Sequence, residues 1–130
     1  MLGIIGGTGL TNLDNLEIIR RQIVRTPYGD ASQPLIFGQL AGVDVVFLAR
    51  HGGGHTIPPH AINYRANIWA LHSVGVTRLL AVATVGSIAK ELSAGGIVLP
   101  HQIIDYTHGR ENSYYDGVER PVMHVDFTHP

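Results

Sequence analysis

Leu2-Gly3-Ile4-Ile5-Gly6-Gly7-Thr8-Gly9 decides the fold class. Leu2 to Ile5 is a short apolar run that reads as a buried β-strand, and it feeds directly into a glycine turn. A buried strand that ends in glycines is typical of α/β sheets, where ligands collect at the carboxyl ends of strands. Working outward, Pro34 to Leu40 and Val43 to Ala49 are two apolar runs separated by Ala41-Gly42, which predicts a β-hairpin with a two-residue turn. Thr26 to Asp30 reads as a loop from its Pro and Gly, and Gly52 to Pro59 as another. A helix is expected from about His60 to Val74, with Ala61, Tyr64, Ile68 and Leu71 on one face, Trp69 widening it and Gly75 as its stop. Arg78 to Val85 reads as a strand buried on both sides, and Ile97 to Leu99 as a further strand that Gln102 to Tyr106 extends. His108 to Pro130 is polar and turn-rich. Strands alternating with a helix predict an α/β layer fold.

Composition narrows the function classes. The chain has 130 residues, 45% of them hydrophobic and 15% charged, which is too apolar for a disordered chain and long enough for one domain. It has no Cys, so a disulfide scaffold, a zinc finger and thiol catalysis are excluded. A formal net charge of −1 offers no general footprint for nucleic acid or an anionic membrane. No apolar run approaches bilayer length, and Met1 to Leu10 lacks the basic flank of a signal peptide, so the expected location is the cytoplasm. The 16 Gly, the 8 His and the dominance of Arg over a single Lys, Lys90, suit a site for small anions.

Three strand-end loops carry anion-binding groups. In Gly6 to Gly9, glycines let backbone N–H groups approach an anion and Thr8 adds a hydroxyl, although the same segment could be a simple tight turn. It fits neither the dinucleotide fingerprint nor a Walker A loop. Arg50 offers a bidentate fork for phosphate oxygens, and His51 can add a hydrogen bond. Ala83-Thr84-Val85-Gly86-Ser87 could present backbone N–H groups or merely pack a strand end. His51 and His55 lie four apart, but the glycines between them argue against a helical metal pair, and no metal site is assigned.

Taken together, these motifs resemble the methylthioadenosine phosphorylase branch of the purine nucleoside phosphorylases. The likeness rests on Gly6-Gly7-Thr8-Gly9-Leu10, Leu48-Ala49-Arg50-His51-Gly52, His55-Thr56-Ile57-Pro58 and Asn63 to Leu71, in that order. Pro100 to Thr107, with His124 to Pro130, is similar to the bacterial S-methyl-5'-thioinosine phosphorylases. The resemblance implies a mixed, largely buried sheet flanked by helices, of which residues 1–130 would be the N-terminal portion of a single, truncated nucleoside phosphorylase domain. It implies a pentosyltransferase that uses inorganic phosphate to cleave 5'-methylthio purine nucleosides, methylthioinosine first and methylthioadenosine next, with no cofactor. A homotrimer is implied as well.

By position, the resemblance assigns Thr8, Arg50, His51, Ala83 and Thr84 to phosphate, and His55 and His124 to the sugar and its 5' substituent. His124 would reach a neighbouring subunit's site. Adenosine-type members carry Thr-Ala where this chain has Ala83-Thr84, so a side-chain contact is lost unless Thr84 supplies it. The base-protonating residue is expected beyond Pro130, since neither Asp105 nor Asp126 sits in the corresponding motif. The competing reading is a non-catalytic fragment, lacking the base site, that binds phosphate or self-associates.

Overall fold

In the computed structural model, residues 1–10 and 12–129 are described. They divide into two units, Met1–Thr84 and Val85–Pro130. The first is built on a mixed sheet whose strands are β1 (Leu2–Gly6), β2 (Leu16–Gln22), β5 (Leu35–Leu40), β6 (Val43–Ala49) and β7 (Arg78–Ala81), in the order β2-β5-β6-β1-β7. β3 (Arg25–Thr26) and β4 (Gly29–Asp30) form a separate small antiparallel pair around Pro27-Tyr28, where a loop was expected.

Alternation along the central strands sorts the core into two layers. Ile5, Leu35, Phe37, Val46 and Leu48 face one way, with Ala70, Leu71 and Val76 packed on them. Ile4, Ile36, Val45, Phe47 and Ala49 face the other way, covered by Leu10, Leu13, Leu16 and Leu40. Phe47, Leu35 and Leu48 are fully buried, and each contributes about 1.5–3 kcal/mol by leaving water.

The β5–β6 hairpin has the predicted two-residue turn, with Leu40 opposite Val43. Ala41 and Gly42 take φ of 49° and 75°, the pair of left-handed residues that a tight, strand-twisting turn requires. Glycine accepts this freely, whereas Ala41 is strained by its Cβ.

Helix α1 spans Tyr64–Ser73, shorter than expected at its start, because Pro59–Ala61 forms a 3₁₀ turn and Asn63 caps the helix. The Asn63 Oδ1 accepts from Ala66 N at 3.0 Å. Gly75 ends the helix as predicted, its N–H returning to His72 O at 3.0 Å. The buried face is Ala66, Asn67, Ala70 and Leu71, and Ile68 is 38% exposed, so of the expected Ala61, Tyr64, Ile68 and Leu71 face only Leu71 is buried. The reason is steric. The sheet face beneath already carries large side chains, and small alanines let the helix approach it.

β7 is shorter than the predicted Arg78 to Val85 strand and is not buried: Leu79 and Leu80 are 42% and 49% exposed. It is an edge strand, paired on one side with β1. In the second unit, the predicted strands at Ile97 to Leu99 and Gln102 to Tyr106 are absent among the described residues. Ile97 and Leu99 are 100% and 90% exposed, since an apolar run becomes a strand only where a ladder partner meets it. Most of this unit has no regular structure, and side-chain bonds close short local loops. Asp105, Asp116 and Asp126 each accept from backbone N–H groups two residues on, and Gln102 Nε2 donates to Phe127 O at 2.6 Å.

Candidate anion-binding site

β1 lies between β6 and β7 and is parallel to both. The carboxyl ends of all three strands therefore fall at the same edge of the sheet. Gly6, Ala49 and Ala81 end these strands, so the loops beginning at Gly7, Arg50 and Val82 are brought side by side. Backbone bonds hold them in step: Arg50 N donates to Gly6 O at 3.0 Å, and Val82 N donates to Ile5 O at 2.9 Å.

Side chains then tie the loops across one another. Arg50 Nη1 donates to Val82 O at 2.7 Å, which binds the β6 loop to the β7 loop. Thr84 Oγ1 donates to Thr8 O at 2.9 Å, which binds the β7 loop to the β1 loop. The guanidinium also lies against Gly7: a Cβ there would fall 2.5 Å from its Cζ and Nη1, and closer still to Nη2. Thr8 and Thr84 are exposed, Arg50 is half-buried and Gly7 is buried.

His51 is 6% exposed, and its Nδ1 sits 2.8 Å from Ile57 O. A carbonyl only accepts, so this bond places a proton on Nδ1 and leaves Nε2 as the nitrogen free to meet a ligand. Ile57 N donates back to His51 O at 3.0 Å, so the Gly52 to Thr56 turn is closed from both ends. His55, with φ of 53°, is exposed and places its ring centroid 4.7 Å from that of His51.

The structure thus brings together Thr8, Arg50 and Thr84, with His51 the residue next to Arg50 and His55 beside His51. Ala83 lies between Val82 and Thr84 and is exposed. Thr84's hydroxyl hydrogen is directed at Thr8 O, so a bond from it to phosphate requires that hydrogen to turn away. His124 belongs to the second unit, where it is exposed in a stretch without regular structure. The Val82 and Ile57 carbonyls, which hold the Arg50 and His51 side chains, carried no sequence signal because every residue has a carbonyl. Among the described residues, no group of three or more His, Cys, Asp or Glu side chains could hold a metal ion, and no helix is long and apolar enough to cross a membrane.

In the second unit, hydrogen bonding from Thr107, its hydroxyl first, holds the Asp105 carboxyl below the ordinary carboxylate range, and Thr128 does the same for Asp126. Both are ionised at neutral pH and neither is suited to donate a proton.

The first unit is thus an α/β sheet in which three parallel strand ends gather Arg50, Thr8 and Thr84. The chain belongs to the Phosphorylase superfamily, whose family model matches residues 1–130. It is 46% identical over 98% of its length to the probable S-methyl-5'-thioinosine phosphorylase of Pseudomonas syringae pv. tomato, covering 52% of that protein. It is 47% identical over 99% of its length to the 6-oxopurine nucleoside phosphorylase of Pyrococcus furiosus, covering 49% of it. A methylthioadenosine phosphorylase from Schistosoma mansoni, solved in complex with adenine, superposes with a TM-score of 0.89 at 40% identity, over 98% of this chain and 45% of that one. The chain therefore spans about half the length of the relatives it matches.

Proposed function

We propose that the protein carrying this chain is a purine nucleoside phosphorylase that cleaves 5'-methylthio purine nucleosides with inorganic phosphate. Methylthioinosine is the favoured substrate and methylthioadenosine the next. One observation carries the reading: three parallel strand ends converge on a guanidinium that is fixed by a backbone carbonyl and faces a glycine–threonine loop.

Phosphate in this setting binds through the remaining N–H groups of Arg50, the Thr8 hydroxyl and the loop backbone, with Ala83 and Thr84 on the opposite side. His51 Nε2 meets a phosphate oxygen, with Nδ1 held by Ile57 O. The bound anion is then poised beneath the anomeric carbon as the purine departs and positive charge grows on the sugar. His55 stands at the sugar end. His124 serves the 5'-methylthio group of a neighbouring subunit in a homotrimer. On this reading residues 1–130 are the N-terminal portion of one phosphorylase domain that acts in cytoplasmic purine salvage. It needs neither metal nor organic cofactor and has no nucleic-acid or membrane partner.

The test is chromatographic. The intact protein, expressed from its complete reading frame, is incubated with methylthioinosine, methylthioadenosine or inosine, with and without phosphate. Phosphate-dependent release of hypoxanthine or adenine is expected, fastest from methylthioinosine. No release from any of the three refutes the proposal and leaves the non-catalytic reading.

A further inference from the structure

We propose that Gly7 is the seat of the Arg50 guanidinium, and that the missing side chain at this position is what aims the anion clamp. The inference rests on the phosphate reading above for its consequence, though not for its geometry. Arg50 is held from one side by the Val82 carbonyl, 2.7 Å from Nη1. It also lies against Gly7, where a Cβ would come within 2.5 Å of Cζ and Nη1. Such a distance is far inside van der Waals contact, so an alanine and the present guanidinium position exclude each other.

What gives way distinguishes this glycine from its neighbour. At Gly6 a Cβ would strike Leu10 O and the buried Phe47 ring, so an alanine there distorts backbone and core. At Gly7 all three nearest atoms belong to the tip of one flexible side chain. An alanine there leaves the chain path intact and expels the guanidinium from its place. Gly7 also lacks the positive φ that would make an L-residue strained. Its role is therefore room for Arg50, and not backbone freedom. Gly7 is a positioning residue: a side chain added there acts on an anion only through Arg50.

The test is a double-mutant cycle on the intact protein, with Gly7→Ala, Arg50→Ala and the double variant. Inorganic phosphate affinity is read by calorimetry and stability by thermal melting. Gly7→Ala should weaken phosphate by about tenfold to a hundredfold, the range for losing a charged hydrogen bond, with nucleoside affinity unchanged. In the Arg50→Ala background the same substitution should do nothing further. Losses that add overturn the proposal, because they show that Gly7 acts on the anion without Arg50. If Gly7→Ala alone fails to fold, the double variant should fold, since the clash is gone. Failure of both also overturns it. Should wild type bind no phosphate, the phosphate reading falls, and a crystal structure of Gly7→Ala decides the seat alone. A guanidinium displaced from Val82 O supports it, and one left in place refutes it.

Discussion

Replacing Asn67 by alanine should destabilise the first unit by about 2 kcal/mol. Asn67 is 2% exposed and lies on the face of α1 that meets the sheet. Its Oδ1 accepts from Ser32 N at 2.8 Å and its Nδ2 donates to Ser32 Oγ at 2.9 Å. Each bond contributes about 1 kcal/mol net, and truncation leaves the Ser32 N–H to find water in a part-buried place, which adds to the loss. For a unit of this size, 1 kcal/mol shifts the melting temperature by roughly 4–8 °C, so a fall of about 8–16 °C is expected by circular dichroism. The loss should reach the candidate site as well. Ser32 O stands 3.4 Å from where a Cβ on Gly52 would lie, so the Ser32 loop backs the turn that follows His51. Asn67→Asp keeps the acceptor for Ser32 N, and the serine hydroxyl can turn to donate, so it should recover part of the loss. A change below about 2 °C in Asn67→Ala, or an aspartate no better than alanine, would refute the reasoning.

Arg50→Ala should weaken phosphate binding by about 1.5–3 kcal/mol, read by calorimetry, and equal weakening toward the nucleoside would contradict its role. Thr84→Val, which removes the bond to Thr8 O, should cost about 1 kcal/mol in urea unfolding, whereas Thr84→Ser should cost less. Ala41→Asn suits the left-handed φ of 49° and should raise stability by about 0.5–1 kcal/mol, and an unchanged urea midpoint would count against the turn geometry. The Asp105, Asp116 and Asp126 carboxyls should titrate below 3.8 in a carbon-detected NMR series. Folded values below unfolded ones mean that these turns are supported above the unfolded value and lose that support as pH falls through the folded one.

Of the strands that form the site, β1 and β6 were legible because their apolar runs are continuous and bounded by turn residues, whereas β7 was read as longer and buried. β2 was missed. Its sequence places Ile18 and Ile19 side by side, and a register shift between Ile18 and Arg20 breaks the period of two that marks a strand. It carries Glu17, Arg20 and Arg21 and is largely exposed, with the Arg20 guanidinium 3.5 Å above the Phe37 ring. The helix was legible, but of its buried face only Leu71 was, because alanines give no hydrophobic signal against Ile68 and Trp69. At the site, Arg50, His51, Thr8 and Thr84 were readable as residue types at strand ends. What aims them was not. The Val82 and Ile57 carbonyls and the space above Gly7 exist only once distant strands are in register.

The Thr84–Thr8 bond spans 76 positions along the chain, and the Arg50–Val82 bond spans 32. Contacts this remote in sequence form late, because the loop entropy is lost before they can repay it. A nascent chain lacks both ties until residue 84 has been synthesised and β7 has aligned on β1. If phosphate binds there as proposed, it should act as a brake on unfolding and leave the folding rate unaltered.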